Sequence, residues 1–232
     1  MRHPGEWRKW RFPTAGSLRT ELVAGLTLLV LSSAAASPQE PPLDTAAVGT
    51  FPHTRMRTLL EKTLFKVNVL TLEVRLGAED AARIQRLLLA GEGSDSLEDS
   101  LASAAARSRD AFARIEFRRG VSLRRFVAAV HQNMRRARAA GYLTAAEYEE
   151  IAAAFPGWFA FLERRRIRVG DQLLYRIHGD TLRTVYRDPG GEVLLDQTDV
   201  GPERRLAVLG SYFAPGSDFR RGLIRSLLAN RD

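Results

Sequence analysis

The residues best placed to do chemistry here are polar groups set among apolar ones. In "SLRRFVAAVHQNMRRARAAGYL", Phe126, Val127, Val130, Met134 and Ala137 recur at three- and four-residue spacing. That spacing predicts one apolar face of a helix starting after Ser122. Asn133 falls in the middle of the face. An amide buried without a partner costs about 1–3 kcal/mol, so Asn133 calls for one, either inside the protein or on a ligand. Lys66 and Asn68 pose the same question on one side of the strand-like segment "LFKVNVLTLEVRL". Taken with Asn133, they can line the floor and wall of one cleft between sheet and helices.

Other chemistry lacks its residues. His3, His53, His131 and His178 are scattered, and none has a carboxylate or second histidine at ligand spacing, so no metal site is expected. His131 points well away from Asn133 around the helix and reads as a solvated side chain. The chain has no cysteine, which removes disulfides, thiol nucleophiles and thiolate metal sites together. It also lacks a G-x-S-x-G elbow, a P-loop and a dinucleotide fingerprint; "DPGG" is a turn, and no cofactor is expected. The run "RRRIR" from Arg164 to Arg168 offers positive charge without interleaved aromatics, so nucleic acid is not an expected partner.

At 232 residues and 45% hydrophobic composition the chain has room for one domain with a real core. Its first 36 residues read as an export signal. Arg2, Arg8, Lys9, Arg11 and Arg19 precede the apolar run "LVAGLTLLVL", and Ala34-Ala35-Ala36 offers a small-residue cleavage site. The run is about half the length of a membrane span, so no stable span is expected once the signal is removed; an uncleaved anchor is the alternative. The segment carries five basic and two acidic residues, and its loss lowers the formal charge from +8 to +5. Residues 37–50, rich in Pro, Thr and Ala without periodicity, read as a flexible linker, and the folded domain is placed at 51–232.

The elements that must hold the polar groups follow in order. "LFKVNVLTLEVRL" is a strand whose alternation changes sense midway, which calls for a bulge or a change of covering layer near Val69. "AEDAARIQRLLLAG" is a short helix, "GEGSDSLEDS" a surface loop and "FARIEFRRG" a second strand. After the helix bearing Asn133, Thr144 and Glu147 form a capping box for a helix that Pro156-Gly157 stops. "VGDQLLYRI", "TLRTVYRD" and "EVLLDQ" make an antiparallel meander, with Pro189-Gly190 suited to a type II turn. "SDFRRGLIRSLLAN" closes the chain as a helix that Asp218 can cap. The sum is an α+β fold: a large antiparallel β-sheet with a layer of α-helices packed on one face.

In that order of elements, "LFKVNVLTLEVRL", "FVAAVHQNMRRARAAGYLTAAEYEEIAAAF", "GDQLLYRIHGDTLRTVYRD" and "SDFRRGLIRSLL" resemble the chalcone isomerase-like family over about three quarters of the mature chain. The resemblance implies a ligand cleft between sheet and helices. In the plant isomerases such a helix carries a tyrosine and, seven residues later, an asparagine, both lining the cleft. The matching positions are Phe126 and Asn133. A cleft threonine on the first strand matches Asn68, and the family's essential arginine lies just upstream, where Arg57 is preferred over Arg55. Phe126 has no hydroxyl to support an oxyanion, so chalcone turnover is not expected. Non-catalytic members of the family bind fatty acids through an arginine. The resemblance therefore implies an exported, periplasmic binder of a fatty acid or related carboxylate. Arg57 or Arg55 holds the acid, Asn133, Asn68 and Lys66 orient it, and Phe126 and Val130 form the wall. The alternatives are an intramolecular lyase or isomerase acting on an unsaturated carbonyl compound, and an envelope interaction module using Arg164 to Arg168.

Overall fold

Period-two alternation organises the sheet. The structure is a computed structural model that describes residues 55–62, 67–90 and 96–229. Strands β1 (Arg55–Lys62), β2 (Val67–Leu76), β3 (Asp110–Phe117), β4 (Gln172–His178), β5 (Thr181–Arg187) and β6 (Val193–Val200) lie side by side in chain order, each antiparallel to the next. Leu72, Val74 and Leu76 of β2 and Ala111, Ala113 and Phe117 of β3 point to one face and are buried in the main core. Thr71, Glu73 and Arg75, the intervening residues, point to the other. The assigned signal (1–36), the linker (37–50) and Lys66 lie outside the described residues. Asn68 falls within β2, but its side chain is likewise outside them.

The helices supply the second layer, and the α+β architecture expected from the sequence is the one observed. They are α1 (Ala78–Ala90), α2 (Leu97–Ala106), α3 (Leu123–Ala139), α4 (Ala145–Trp158), α5 (Leu162–Arg165), α6 (Pro202–Phe213) and α7 (Arg220–Ala229). Ser122 caps α3 by accepting from the Arg125 N–H at 3.4 Å. Thr144 and Glu147 close the capping box of α4, with Glu147 accepting from the Thr144 N–H at 2.7 Å. Of the two causes offered for the switch near Val69, the structure has the bulge: Leu60 faces Leu70 while Glu61 faces Asn68, so Val69 is the extra residue.

Several local readings change. The Pro156-Gly157 pair does not stop α4 at Phe155, and the helix runs on to Trp158. Past the proline the last turn tightens, with the Phe159 N–H bonded to the Pro156 carbonyl at 3.3 Å. The supposed loop "GEGSDSLEDS" ends inside α2, whose Leu101, Ala102, Ala105 and Ala106 bury one stripe. The β5–β6 turn is not type II, since the positive φ falls on Gly191 (89°) and not on Gly190. With the Gly191 N–H bonded to the Asp188 carbonyl, it is a type I turn closed by a left-handed glycine.

Four elements have no counterpart in the sequence expectation, α2, α5, β1 and α6, and the last two bear on the cavity and its cover. β1 is held from two sides. It pairs with β2, and α7 crosses its inner face so closely that a Cβ on Gly222 would collide with Thr58 Oγ1. Ser226 Oγ of α7 accepts from the Arg57 N–H at 2.7 Å. α6 begins at Pro202, in the first helical turn where a missing N–H costs nothing, with Glu203 beside it. Its buried residues Ala207, Leu209, Tyr212 and Phe213 join the main core.

Candidate functional site

A cavity of about 490 Å³ lies between the inner face of the sheet and helices α3, α4 and α6. Its floor is built by Leu70, Ile115, Phe117 and Leu182 of the strands. The bulge brings Val69 to the same wall as Leu70, two consecutive residues that a regular strand would point apart. α3 contributes Phe126, Val130 and Asn133 together, so three residues expected at a ligand cleft do line one cavity.

Phe126 is fixed by its neighbours. Its ring centroid lies 5.9 Å from that of Phe117, 5.8 Å from Phe155 and 5.4 Å from Phe159, with edge contacts at 77° to the first and last. Such ring pairs add about 0.5–1.5 kcal/mol each beyond area burial, so this wall is rigid. The cluster depends on α4 continuing past Pro156, because Trp158 and Phe159 both face the cavity. His131 packs its edge on Phe155 at 6.3 Å and is half-buried, which replaces the solvated placement expected from its helical position.

Asn133 is 7% exposed. Its Oδ1 accepts from Arg136 Nη1 at 2.8 Å, and the same nitrogen donates to Asp218 Oδ1 at 3.3 Å. The amide thus has a structural partner on its oxygen and lines the cavity as well. Beyond that bond the amide still has its two NH₂ donors and the second lone pair of Oδ1.

The cavity also holds hydroxyls that sequence spacing did not single out. Tyr175 of β4 and Thr184 of β5 are direct cross-strand partners on the inner face, and Ser211 and Tyr212 come from α6. Burial pushes the Tyr175 phenol well above its ordinary range. Burial and the neighbouring Tyr175 do the same to Tyr212. Both remain neutral donors at any physiological pH. Ser211 spends its proton on the Ala207 carbonyl.

Three arginines border the cavity. Arg119 and Arg125 are exposed, and neither side chain has an ion-pair or hydrogen-bond partner among the described residues. Arg204, on the first turn of α6, is different. Its side chain is 16% exposed, its Nη2 donates to Glu150 Oε1 at 2.5 Å, its Nε lies 3.5 Å from Glu203 Oε1, and its guanidinium sits 5.9 Å from the Trp158 ring centroid. Arg204 Nη1 is buried and has no acceptor among the described residues.

Arg55 and Arg57, the expected acid anchors, are not brought to this cavity. Met56 faces Val74 across the β1–β2 ladder and is fully buried on the inner side, so its neighbours on the strand point outward. Arg55 Nη2 donates to Glu73 Oε2 at 2.8 Å. Arg57 borders an open depression on the outer face with Thr71 and Arg118. Alternation overrides the upstream position that suggested them.

The basic run is also partly structural. Arg165 grips the buried Asp171 with two 2.7 Å bonds, and Asp171 accepts further from the Arg168 N–H at 2.7 Å and the Tyr186 hydroxyl at 2.6 Å. Arg164, Arg166 and Arg168 stay exposed. Among the described residues no group of three His, Cys, Asp or Glu side chains is arranged to hold a metal ion, and no helix is long and apolar enough to cross a membrane.

Fold and cavity together define the class: an α+β domain with an apolar chamber between an antiparallel meander and its helical cover. Comparison with protein-family models gives no match, and comparison with curated proteins gives none.

Proposed function

We propose that the protein is an exported, non-catalytic binder of a hydrophobic ligand, a fatty acid or related carboxylate, and that it belongs with the chalcone isomerase-like proteins it resembles. One observation carries this reading: an apolar cavity of about 490 Å³, walled by a rigid aromatic cluster, at the position where Phe126, Val130 and Asn133 converge. Its size falls within the range of roughly 300–1,000 Å³ of small-molecule sites, which combine apolar walls with a few polar groups. The acid group is assigned to Arg119 and Arg125, which border the cavity, carry unpaired charge and stay in contact with water. Binding needs no more than a cation, a few hydrogen bonds and apolar walls. The phenyl ring of Phe126 serves an acyl chain and offers no hydroxyl for acid–base work.

The test is mass spectrometry of an organic extract from protein purified without detergent. A stoichiometric acyl carboxylate is expected with the wild type. It should be absent from Val130→Trp, which fills the cavity, and reduced severalfold in the Arg119→Ala/Arg125→Ala double variant. Folded wild-type protein that neither carries such a compound nor takes up added octadecanoate would refute the reading.

A further inference from the structure

Two stretches separated in the chain by α3 and α4 run side by side at one edge of the molecule. Val121 and Ile167 exchange backbone hydrogen bonds of 3.1 Å, the Phe117 N–H donates to the Asp171 carbonyl at 3.0 Å, and the Gly170 N–H donates to the Phe117 carbonyl at 2.8 Å. The link from β3 into α3 is thereby held antiparallel to the link from α5 into β4, and both are rich in arginine. Arg118 is spent on Glu116 at 3.0 Å and Arg165 on Asp171 at 2.7 Å. Arg119, Arg124, Arg125, Arg164, Arg166 and Arg168 are exposed, and none of these side chains has an ion-pair or hydrogen-bond partner among the described residues. Glu163 is the one exposed acid in either stretch. Arg119 and Arg125 line the cavity while staying open to water, so this ridge of positive charge borders its mouth.

A surface of one sign draws a partner rich in the other. Two features choose among polyanions. Neither stretch exposes an aromatic side chain on which a base could stack. Val169, next to Arg168, is 61% exposed. An apolar tip among cations gains nothing against the phosphates of a nucleic acid, but it is buried at the headgroup boundary of a bilayer. We infer that this ridge docks the protein on a bilayer surface of anionic phospholipid, with the unpaired arginines against headgroup phosphates and Val169 at the boundary, which turns the cavity mouth toward the membrane. That the docked mouth exchanges an acyl ligand with the bilayer rests on the reading that the cavity binds one. Docking by charge and one small side chain is reversible, unlike a span.

The chain has no cysteine, so an introduced one carries an environment-sensitive dye at a single chosen site. Val169→Cys reports from the ridge. Val200→Cys, at a position 76% exposed, reports from the opposite edge of the sheet, because Val200 pairs with Thr181 while the ridge adjoins Gln172 and Arg187 at the other ends of β4 and β5. Vesicles of phosphatidylglycerol and phosphatidylcholine in equal parts should shift the Val169→Cys emission to the blue and leave the Val200→Cys emission unchanged, and pure phosphatidylcholine should move neither. Adding Arg164→Gln/Arg166→Gln/Arg168→Gln, which touches no cavity-lining residue, should raise the lipid needed for the same shift about a hundredfold, at roughly fivefold per arginine, and leave octadecanoate affinity unchanged. An equal response of the two dyes, an equal response to neutral vesicles, or a triple variant that docks as well as its parent overturns the inference. So does a shift produced by a single-stranded oligodeoxynucleotide and not by the vesicles. If octadecanoate binds while the Val169→Cys dye stays silent, the inference fails and the binder reading stands. A dye response in folded protein that takes up no octadecanoate keeps the docking ridge and removes the binder reading.

Discussion

The two faces of the sheet come from the same strands and do opposite things. The inner face of β2 and β3 is aliphatic and aromatic and opens into the cavity. The outer face of the same strands is a lattice of ion pairs around Glu73, which is 2% exposed and held by Arg55 at 2.8 Å, Arg75 at 2.7 Å and Arg114 at 3.3 Å. Among the described residues the outer face has one apolar cluster, Phe112, Leu174 and Val185, spread over β3 to β5. The contrast teaches that a cation's place in the chain says little about its task until its parity on the strand is known. Arg57 and Met56 are neighbours in sequence and stand on opposite sides of the sheet.

The largest effect that would test this division is on the outer face. Glu73→Ala leaves three guanidiniums facing one another and should cost about 3 kcal/mol, the low end for breaking a buried pair, because the half-exposed Arg55 can turn to water. For a domain of this size the melting temperature should fall by about 6–12 °C. Octadecanoate affinity should be kept, and its loss in the folded variant would show that the two faces are not independent.

A smaller effect is the acid limb of stability. Burial pulls the Glu73 carboxyl upward, but hydrogen bonds from Arg55 and Arg75 and the charges of Arg75 and Arg114 overcome it and hold the group below the usual glutamate range. A depressed carboxylate contributes stability that is complete above its unfolded pKa, about 4.3, and is lost as pH falls through the folded value. Asp171 behaves in the same way: burial raises it, and the bonds from Arg165, the Arg168 N–H and Tyr186 outweigh that and hold it below the usual aspartate range. Unfolding followed from pH 7 to pH 2 should therefore be flat down to about pH 4.5 and fall below it. Asp171→Asn should flatten that fall, and an unchanged acid limb would exclude Asp171 as a source.

The smallest effect is expected at Arg57. Its exposed head borders only an open depression, so Arg57→Ala should change stability by less than about 0.5 kcal/mol and leave ligand affinity alone. A tenfold loss of octadecanoate binding would return the acid anchor to the outer face and undo the comparison.

What could be read from the sequence tracks how local the physics is. The change of sense in "LFKVNVLTLEVRL" located the switch at Val69, and Thr144 with Glu147 foretold a helix start, because each depends on a few adjacent residues. The stripe around Asn133 was legible for the same reason. "RMRTLLEK" could have been read the same way: Met56 alternates with Arg55 and Arg57, and its parity alone would have set both arginines outward. Arg204 is a harder case. In "PERRLAVLG" it reads as a solvated charge on a helix's first turn, and nothing nearby announces Trp158 or Glu150, which the chain brings to it from α4 and its vicinity. The hydroxyls of Tyr175 and Tyr212 likewise become neighbours only when strand and helix meet.

The contact between β1 and α7 bears on the order in which the chain can be completed. Arg57 and Ser226 are 169 positions apart, whereas every neighbouring pair of strands in the sheet is also consecutive in the chain. Hairpins can pair as they emerge from synthesis, but the inner side of the first strand has no cover until the last helix exists, and closing so long a loop is slow. The inner side of β1 is therefore covered only after α7 has been made and that loop has closed.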